Sequence, residues 1–154
     1  MDEELAEVPP AKLLVQAAAD NHVEAVQALL GAGVSANVCH QNRSPICIAA
    51  DEGHLEVVKE LLAHGCTADQ PDHCDPMWFR KPIHYAAGRG HLSVVQLLIE
   101  NGIDVNSIDR ENRTPLHWAA TLGWVPVAEY LMEKGAAINI VQKDGFTALH
   151  AATC

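Results

Sequence analysis

A chain of 154 residues is long enough for one well-filled core and too short for two independent domains of ordinary size, so we expect a single domain. The formal net charge of −10 repels phosphate backbones and anionic membrane surfaces, which argues against a nucleic-acid partner. Hydrophobic residues make up 49% of the chain and charged residues 19%, and this composition predicts a folded chain and not a disordered one.

The cysteines and the N-terminus indicate the compartment. The 5 cysteines form no CxxC pair, and the segment Met1-Asp2-Glu3-Glu4 is acidic, without the apolar stretch of a signal peptide. These features predict a reducing, intracellular compartment, which is the cytoplasm, the nucleus or both. No apolar run approaches the roughly 20 residues of a membrane span, so we expect no membrane insertion. We also expect a monomer with no cofactor and no metal.

Taken in chain order, an acidic lead at residues 1–6 precedes a repeat domain at residues 7–154. A proline or alanine that would begin a helix recurs with a period of about 33 residues, at Pro45, Pro82, Pro115 and Ala148. A glycine that closes an apolar run recurs with the same period, and the third unit is longer than the others. Both markers divide the domain into units 1 to 5, at residues 7–38, 39–71, 72–108, 109–141 and, incomplete, 142–154.

Each unit is predicted to form two antiparallel helices. Thr114 is placed to cap the first helix of unit 4, and Pro115 suits its first position because a missing N–H has no intrahelical partner there. The second helix of unit 2 spans 55–62 and ends in a left-handed cap at Gly65. Extended runs such as 103–106 predict hairpin-like tips, with positive φ expected at Asn42, Asn112 and Gly145.

Three segments carry a family resemblance: Thr114 to Ala120 (TPLHWAA), Gly90-His91-Leu92, and Gly102 to Asn106 (GIDVN). This pattern resembles the ankyrin repeat family from about residue 7 to the end of the chain. The resemblance implies an all-α solenoid of about four full repeats and a truncated fifth, joined by β-hairpin-like tips. It also implies a non-catalytic module that binds a partner protein through its concave face and its tips.

The incomplete unit 5 has no second helix. This predicts that the apolar side of the second helix in unit 4 is partly uncovered, and that the natural chain continues beyond Cys154. The residues expected to be uncovered are Val125, Ala128, Leu131 and Met132.

The resemblance assigns partner contacts to the tips and to the exposed positions of the first helices. The tip residues are His40, Gln41, Arg43, Arg110, Glu111, Arg113, Lys143, Asp144 and Phe146. The helix residues are Ile48, Asp51, Glu52, Tyr85, Arg89, Trp118, Thr121 and Leu122. The acidity of the chain favours a basic site on the partner, whereas the arginines of the tips and first helices form a basic strip that would prefer an acidic peptide: Arg43, Arg80, Arg89, Arg110 and Arg113.

The longer unit 3 tip, residues 72–81, contains Met77, Trp78, Phe79 and Arg80. A turn does not need large apolar side chains, and these residue types are enriched at interface hot spots, so we predict that this tip contacts the partner. The alternative is that the aromatic side chains fold back and anchor the loop.

Histidines and cysteines invite a metal or catalytic interpretation. One histidine follows each entry, at His84, His117 and His150, and this regular recurrence favours a structural hydrogen bond inside each unit. His64, Cys66, His73 and Cys74 are possible zinc ligands. Cys66, however, takes the position of Ala136, where a small buried side chain is needed, so a core thiol is favoured.

Two further residues are singled out. Trp124 stands where other units have histidine, and we expect it to pack against the next unit. The family resemblance also implies possible hydroxylation of Asn106.

No nucleophile elbow, phosphate-binding loop or HExxH motif is present, so we expect no enzyme activity. Two alternatives to a simple scaffold place another domain beyond Cys154. One is an adaptor, such as the substrate-recruiting subunit of a ubiquitin ligase, and the other is the regulatory domain of an enzyme.

Overall fold

The computed structural model describes residues 8–69 and 79–152, and the predicted lead at residues 1–6 lies outside them. No helix within the described residues is long and apolar enough to cross a membrane. The helices in these two ranges are α1 (Pro10–Ala19), α2 (Val23–Gly31), α3 (Pro45–Glu52), α4 (Leu55–Ala63), α5 (Pro82–Arg89), α6 (Leu92–Glu100), α7 (Pro115–Thr121), α8 (Val125–Glu133) and α9 (Ala148–Ala151).

The helices form two layers. The inner layer consists of α1, α3, α5, α7 and α9, each packed on the next, and the outer layer consists of α2, α4, α6 and α8. Neighbouring helices of the inner layer contact each other more extensively than those of the outer layer. The stack therefore bends towards the inner layer, and its concave face is formed by the inner helices and the tips. This confirms the predicted helical repeat solenoid.

The inner helices begin where the sequence predicts. Pro115 is the first residue of α7, and the Thr114 hydroxyl accepts a hydrogen bond from the His117 N–H at 3.4 Å. Pro82 begins α5 in the same way, but Lys81 before it has no side-chain acceptor. The His84 N–H instead bonds to the Lys81 carbonyl oxygen at 2.9 Å. The same helix start is thus capped by a side-chain hydroxyl in α7 and by a backbone carbonyl in α5.

A glycine with positive φ separates the two helices and lets the following unit approach. Gly53 and Gly90 both have φ of 78°. A Cβ at Gly90 would lie 2.5 Å from the indole of Trp124, and one at Gly53 would lie 2.6 Å from the ring of His91. Each ring therefore packs directly on the glycine of the preceding unit, where a larger residue would clash.

The prediction that Trp124 packs against the next unit is wrong. Its Nε1 donates a hydrogen bond to the Gly88 carbonyl oxygen at 2.9 Å, in the preceding unit. His54 and His91 make the equivalent contact to the preceding inner helix, through Ala19 O at 3.0 Å and Asp51 O at 2.9 Å. The Trp124 side chain points to the preceding unit, as those of His54 and His91 do, because all three residues occupy the same position before an outer helix.

The outer helix of unit 4 is exposed only in part. Val125 is 59% exposed and Met132 is 47% exposed, as predicted. Leu131, which was predicted to be uncovered, has no exposed surface and belongs to the core cluster. It is buried because α8 packs on α7, so only the side of α8 turned away from the inner layer is open.

The tips are less extended than predicted. The described residues contain one isolated antiparallel bridge, between His40 and Arg43, and no longer ladder. In the run 103–106, Val105 and Asn106 form a turn that is closed by the Ser107 N–H bonding to Asp104 O at 3.0 Å. The Asp104 carboxylate accepts the Asn106 N–H at 2.9 Å, a local turn that competes with an extended strand.

The cysteines are not all in one state. Cys39 is disulfide-bonded, whereas Cys66 is a free thiol buried in the core. A reducing compartment, as the sequence predicts, does not account for the bond at Cys39. The compartment therefore stays a prediction.

Candidate partner-binding site on the concave face

A pocket of about 280 Å³ opens between the inner helices α3, α5 and α7. We call it the Trp118 pocket. Six residues predicted as partner contacts line it: Asp51, Arg80, Tyr85, Arg89, Trp118 and Leu122. His84 and Gly88 also line it and were not predicted to do so. Side chains from three units and one tip thus meet in one place.

Two arginines from successive tips lie over the same indole. The guanidinium carbon of Arg80 lies 4.3 Å from the Trp118 ring centroid, and that of Arg113 lies 4.6 Å from it. Arg80 is also 5.6 Å from the Tyr85 ring centroid. Contacts of this kind contribute about 0.5–2 kcal/mol each and hold the planar guanidinium in place. The tips are therefore tied to the inner helices by cation–π contacts.

Asp109, at the start of the unit 4 tip, organises this arrangement. Its side chain is fully buried and accepts the backbone N–H groups of Glu111 at 2.8 Å and Arg113 at 2.9 Å. It also accepts the Trp118 Nε1–H at 3.2 Å and pairs with the Arg113 guanidinium at 3.5 Å. The sequence analysis missed this residue. The available signal was that an Asp at the start of a turn binds the N–H groups that follow it.

An ion pair stands at the pocket wall. The Arg89 guanidinium donates two hydrogen bonds to the Asp51 carboxylate, at 2.9 and 3.3 Å, and the pKa of Arg89 is raised by this hydrogen bond. The Asp51 side chain is 15% exposed and that of Arg89 is 63% exposed. Because the arginine is solvent-exposed, a pair of this kind adds at most about 1 kcal/mol to stability.

Phe79 has an unfavourable backbone conformation in the unit 3 tip. Its φ is 49°, at the position where the other tips have Asn42 (φ 59°), Asn112 (φ 60°) and Gly145 (φ 82°). Asparagine and glycine tolerate this region, whereas a bulky aromatic residue there is strained. Phe79 is nevertheless 45% exposed. The predicted contacts Met77 and Trp78 lie outside the described residues.

The other predicted tip and helix contacts lie outside the pocket lining. Phe146 is 47% exposed and meets the edge of His150 at 6.0 Å. Glu111 lies 3.6 Å from Lys143 of the next tip. His40 is half-buried. Six further predicted contacts are exposed: Gln41, Arg43, Glu52, Arg110, Thr121 and Asp144.

Ile48 corrects the list of first-helix contacts. It takes the same position in α3 as Tyr85 in α5 and Trp118 in α7, and on this ground an exposed side chain was predicted. It is only 3% exposed. Its short side chain lies in the layer where α1 and α5 flank α3, whereas the longer aromatic side chains reach the pocket.

The recurring histidines have the predicted structural role. Nδ1 of His84 accepts the Lys81 N–H at 3.0 Å, so Nε2 carries the proton and donates to Ser107 O at 3.0 Å. His117 bonds in the same way to Thr114 N–H at 3.2 Å and to Phe146 O at 3.4 Å, which lies in the next unit. Burial lowers the pKa of His84 to about 4 and also lowers the pKa of His117.

Cys66 has the environment of a core residue. Its thiol donates to Ala36 O at 3.6 Å, and burial raises its pKa to about 12, so it stays protonated at neutral pH. His64 bonds through Nδ1 to Glu60 O at 2.9 Å. The other two candidate zinc ligands, His73 and Cys74, lie outside the described residues. The buried thiol supports the interpretation as a core side chain.

Asn106 is half-buried and links two units. Its side-chain oxygen accepts the Ala137 N–H at 2.8 Å, and Asn37 makes the equivalent bond to Thr67 N–H at 2.9 Å. Both asparagines therefore join the turn after one outer helix to the same turn of the following unit.

Comparisons with known proteins agree with this architecture. A model of ankyrin repeats (3 copies) matches residues 14–109 and 83–154. Ankyrin repeat domain-containing protein 49 of Bos taurus is 41% identical over 71 residues, which cover 42% of this chain and 28% of that protein. The match thus covers less than a third of that relative's length. Ankyrin repeats are generally non-catalytic protein–protein interaction modules, and this chain belongs to the ankyrin repeat family.

Proposed function

We propose that this chain is a non-catalytic interaction module that holds a partner protein against its concave face, with the Trp118 pocket at the centre of the contact. The observation that carries the proposal is the convergence of Arg80 and Arg113 on Trp118, with both guanidiniums within 5 Å of one ring. Tryptophan, tyrosine and arginine are the residues most enriched at interface hot spots.

The pocket residues are positioned without being part of the core. Trp118, Tyr85 and Arg80 are half-buried, and Leu122 is 53% exposed. The buried Asp109 holds the tip and the indole in place before any partner arrives. A surface that is already ordered loses less conformational entropy on binding, which favours affinity.

The unit 3 tip at residues 72–81 belongs to the proposed contact surface. Phe79 supports this, because it has a positive φ, which strains a bulky residue, while its side chain is 45% exposed. Strain of this kind is found at binding sites, where the side chain has a use outside the fold.

Photo-crosslinking in cells tests the proposal. A photoreactive amino acid replaces Leu122 at the pocket or Glu129, which is exposed on the outer helix α8. We expect a protein that is cross-linked from position 122 and not from position 129. The same set of proteins from both positions, or none from position 122, contradicts the proposal.

The two alternative functions are an adaptor and the regulatory domain of an enzyme. Both would use this contact surface, and they would differ in the domain that accompanies it. A complete reading frame that encodes a ubiquitin-ligase module supports the adaptor, and one that encodes a catalytic domain supports the regulatory role. We further propose that the chain is monomeric and intracellular and that Asn106 is hydroxylated.

A further inference from the structure

We infer that Gly88 keeps a recess open in the Trp118 pocket for one apolar side chain of the partner protein, and that it thereby determines specificity at this site. The recess is the space between Gly88, the Trp118 indole and Leu122, and we call it the Gly88 recess. This inference rests on the proposed function, because it names the chemistry of the side chain that the concave face holds.

The backbone at Gly88 does not require a glycine. Gly88 lies in the last turn of α5, and Gly31 is the last residue of α2. The other glycines in the described part of the chain have positive φ, which favours glycine, whereas these two do not. At a helical position glycine is less stable than alanine, so neither helix gains from it.

The space around Gly88 does not require a glycine either. A Cβ at this position would lie 3.5 Å from Trp118 Cε3 and 3.8 Å from Leu122 Cδ1, which is ordinary van der Waals contact. At Gly90, by contrast, a Cβ would clash with the ring that packs on it. An alanine would therefore fit at position 88 and would fill the recess.

The hydrogen bond at Gly88 can also be made by other residues. Its carbonyl oxygen accepts the Trp124 Nε1–H at 2.9 Å, and the carbonyl oxygens of Ala19 and Asp51 accept the equivalent bonds in the two preceding units. These three acceptors occupy the same repeat position, so a residue with a side chain serves equally well. The missing side chain therefore affects the pocket surface and not the stacking of the units.

The open surface of the recess is apolar. Leu122 is 53% exposed, and the half-buried Trp118 has its Nε1–H bonded to Asp109 inside the fold. The indole thus presents ring carbons to the recess, with Cε3 nearest to Gly88. A polar group placed there would lose hydrogen bonds to water, whereas an apolar group is stabilised by burial.

The charged groups near the recess include both signs, and they pair with each other. Arg89 donates two hydrogen bonds to Asp51, and its pKa is raised first by this carboxylate and less by that of Glu52. Arg113 pairs with the buried Asp109 at 3.5 Å. Paired opposite charges attract neither sign strongly, so an uncharged side chain is the best complement.

The size of the pocket agrees with a single side chain. Its volume of about 280 Å³ lies below the roughly 300–1,000 Å³ of pockets that enclose drug-sized ligands. The occupant is therefore one apolar side chain in a segment of the partner protein.

Two matched substitutions separate binding from stability. Gly88→Ala places a methyl group in the recess, and Gly31→Ala makes the same change in α2, where a Cβ would have nothing within 4 Å. Because alanine is the better helix former, both variants should unfold at a higher urea concentration than the wild type. A lower urea midpoint for Gly88→Ala would mean that the fold needs this glycine, and it would overturn the inference.

The binding probe is a peptide that the purified wild-type chain selects from a phage-displayed random library. We expect the enriched peptides to share one apolar residue. In fluorescence anisotropy, Gly88→Ala should weaken binding of the best synthetic peptide by about tenfold, and Gly31→Ala should leave it unchanged. Replacing the shared apolar residue with serine should weaken binding to the wild type by about tenfold and binding to Gly88→Ala much less.

The outcomes separate the inference from the proposed function. Peptides that Leu122→Ala weakens and Gly88→Ala does not would overturn the inference and leave the proposed function in place. So would peptides that share a charged residue instead of an apolar one. Peptides unaffected by both variants bind elsewhere and count against both proposals, as does a selection without enrichment.

Discussion

The tips of units 3 and 4 reach the same geometry with different residues. Phe79 and Asn112 take the equivalent position with φ of 49° and 60°, and the arginine after each of them packs on Trp118. In unit 4 the turn residue is tolerant of this φ and the following Thr114 caps α7, whereas in unit 3 neither residue suits its place. The repeat architecture, and not local preference, imposes the backbone of the unit 3 tip.

The two arginines are also held differently. Arg113 pairs with the buried Asp109, which fixes the whole unit 4 tip. Arg80 packs on two aromatic rings, those of Trp118 and Tyr85. The unit 4 half of the site is anchored by a buried carboxylate, so we expect the largest effects from mutations there.

The largest effect is expected when the unit 4 anchor is removed. Asp109→Ala leaves two backbone N–H groups and the Trp118 indole without their acceptor and the Arg113 charge without its partner. We expect a loss of about 4 kcal/mol in the free energy of unfolding, measured by urea denaturation. A loss below about 1 kcal/mol would show that the buried carboxylate is not the anchor.

Acid should destabilise the protein through His84. Burial lowers its pKa from the ordinary value of 6.5 to about 4 in the folded state, so its stabilising contribution is complete above pH 6.5 and is lost as the pH falls towards 4. The full loss is roughly 3 kcal/mol, since each pKa unit corresponds to about 1.4 kcal/mol. Urea denaturation at several pH values measures it.

The matched controls for this titration are His84→Gln and His117→Gln. The first should flatten the dependence of stability on pH between 6.5 and 4. The second should flatten it in part, because burial lowers the pKa of His117 as well. Identical pH dependence in the wild type and His84→Gln would contradict this assignment.

Exchanging the turn residues gives the smallest effect and the most direct comparison of the two tips. Phe79→Asn should raise the free energy of unfolding by about 1 kcal/mol, because it relieves the strain of an aromatic residue at positive φ. Asn112→Phe should lower it by about the same amount. Thermal melts measure both, and a destabilised Phe79→Asn would mean that the ring packs on the fold.

The sequence predicts the repeating geometry well because each part of it has a local cause. Thr114 and Pro115 predict a helix start, and positive φ at Asn112 follows from turn chemistry. Tyr85, Arg89 and Trp118 were predicted as partner contacts because they differ between units at exposed positions, and the structure brings all three into one pocket.

The remaining features depend on contacts between distant residues. Asp109 was missed because a polar residue in a tip is expected to face solvent, and only the packed structure buries it. Ile48 was misassigned because its repeat position matches that of Trp118 while its shorter side chain does not reach the surface. The packing of Trp124 on the preceding unit could not be predicted from the sequence, because it depends on Gly90, which lies against the indole ring but is distant along the chain.

The central claim is that a partner segment binds at the Trp118 pocket, and mapping by nuclear magnetic resonance tests it most directly. The isotope-labelled chain is titrated with a synthetic peptide that covers the partner segment cross-linked from position 122, and backbone amide and indole shifts are followed. The account predicts that the Trp118 indole and the amides of 79–89 and 109–122 shift, while those of the outer helices α4, α6 and α8 stay in place. Shifts centred on the outer layer, with the Trp118 indole unchanged, would contradict it.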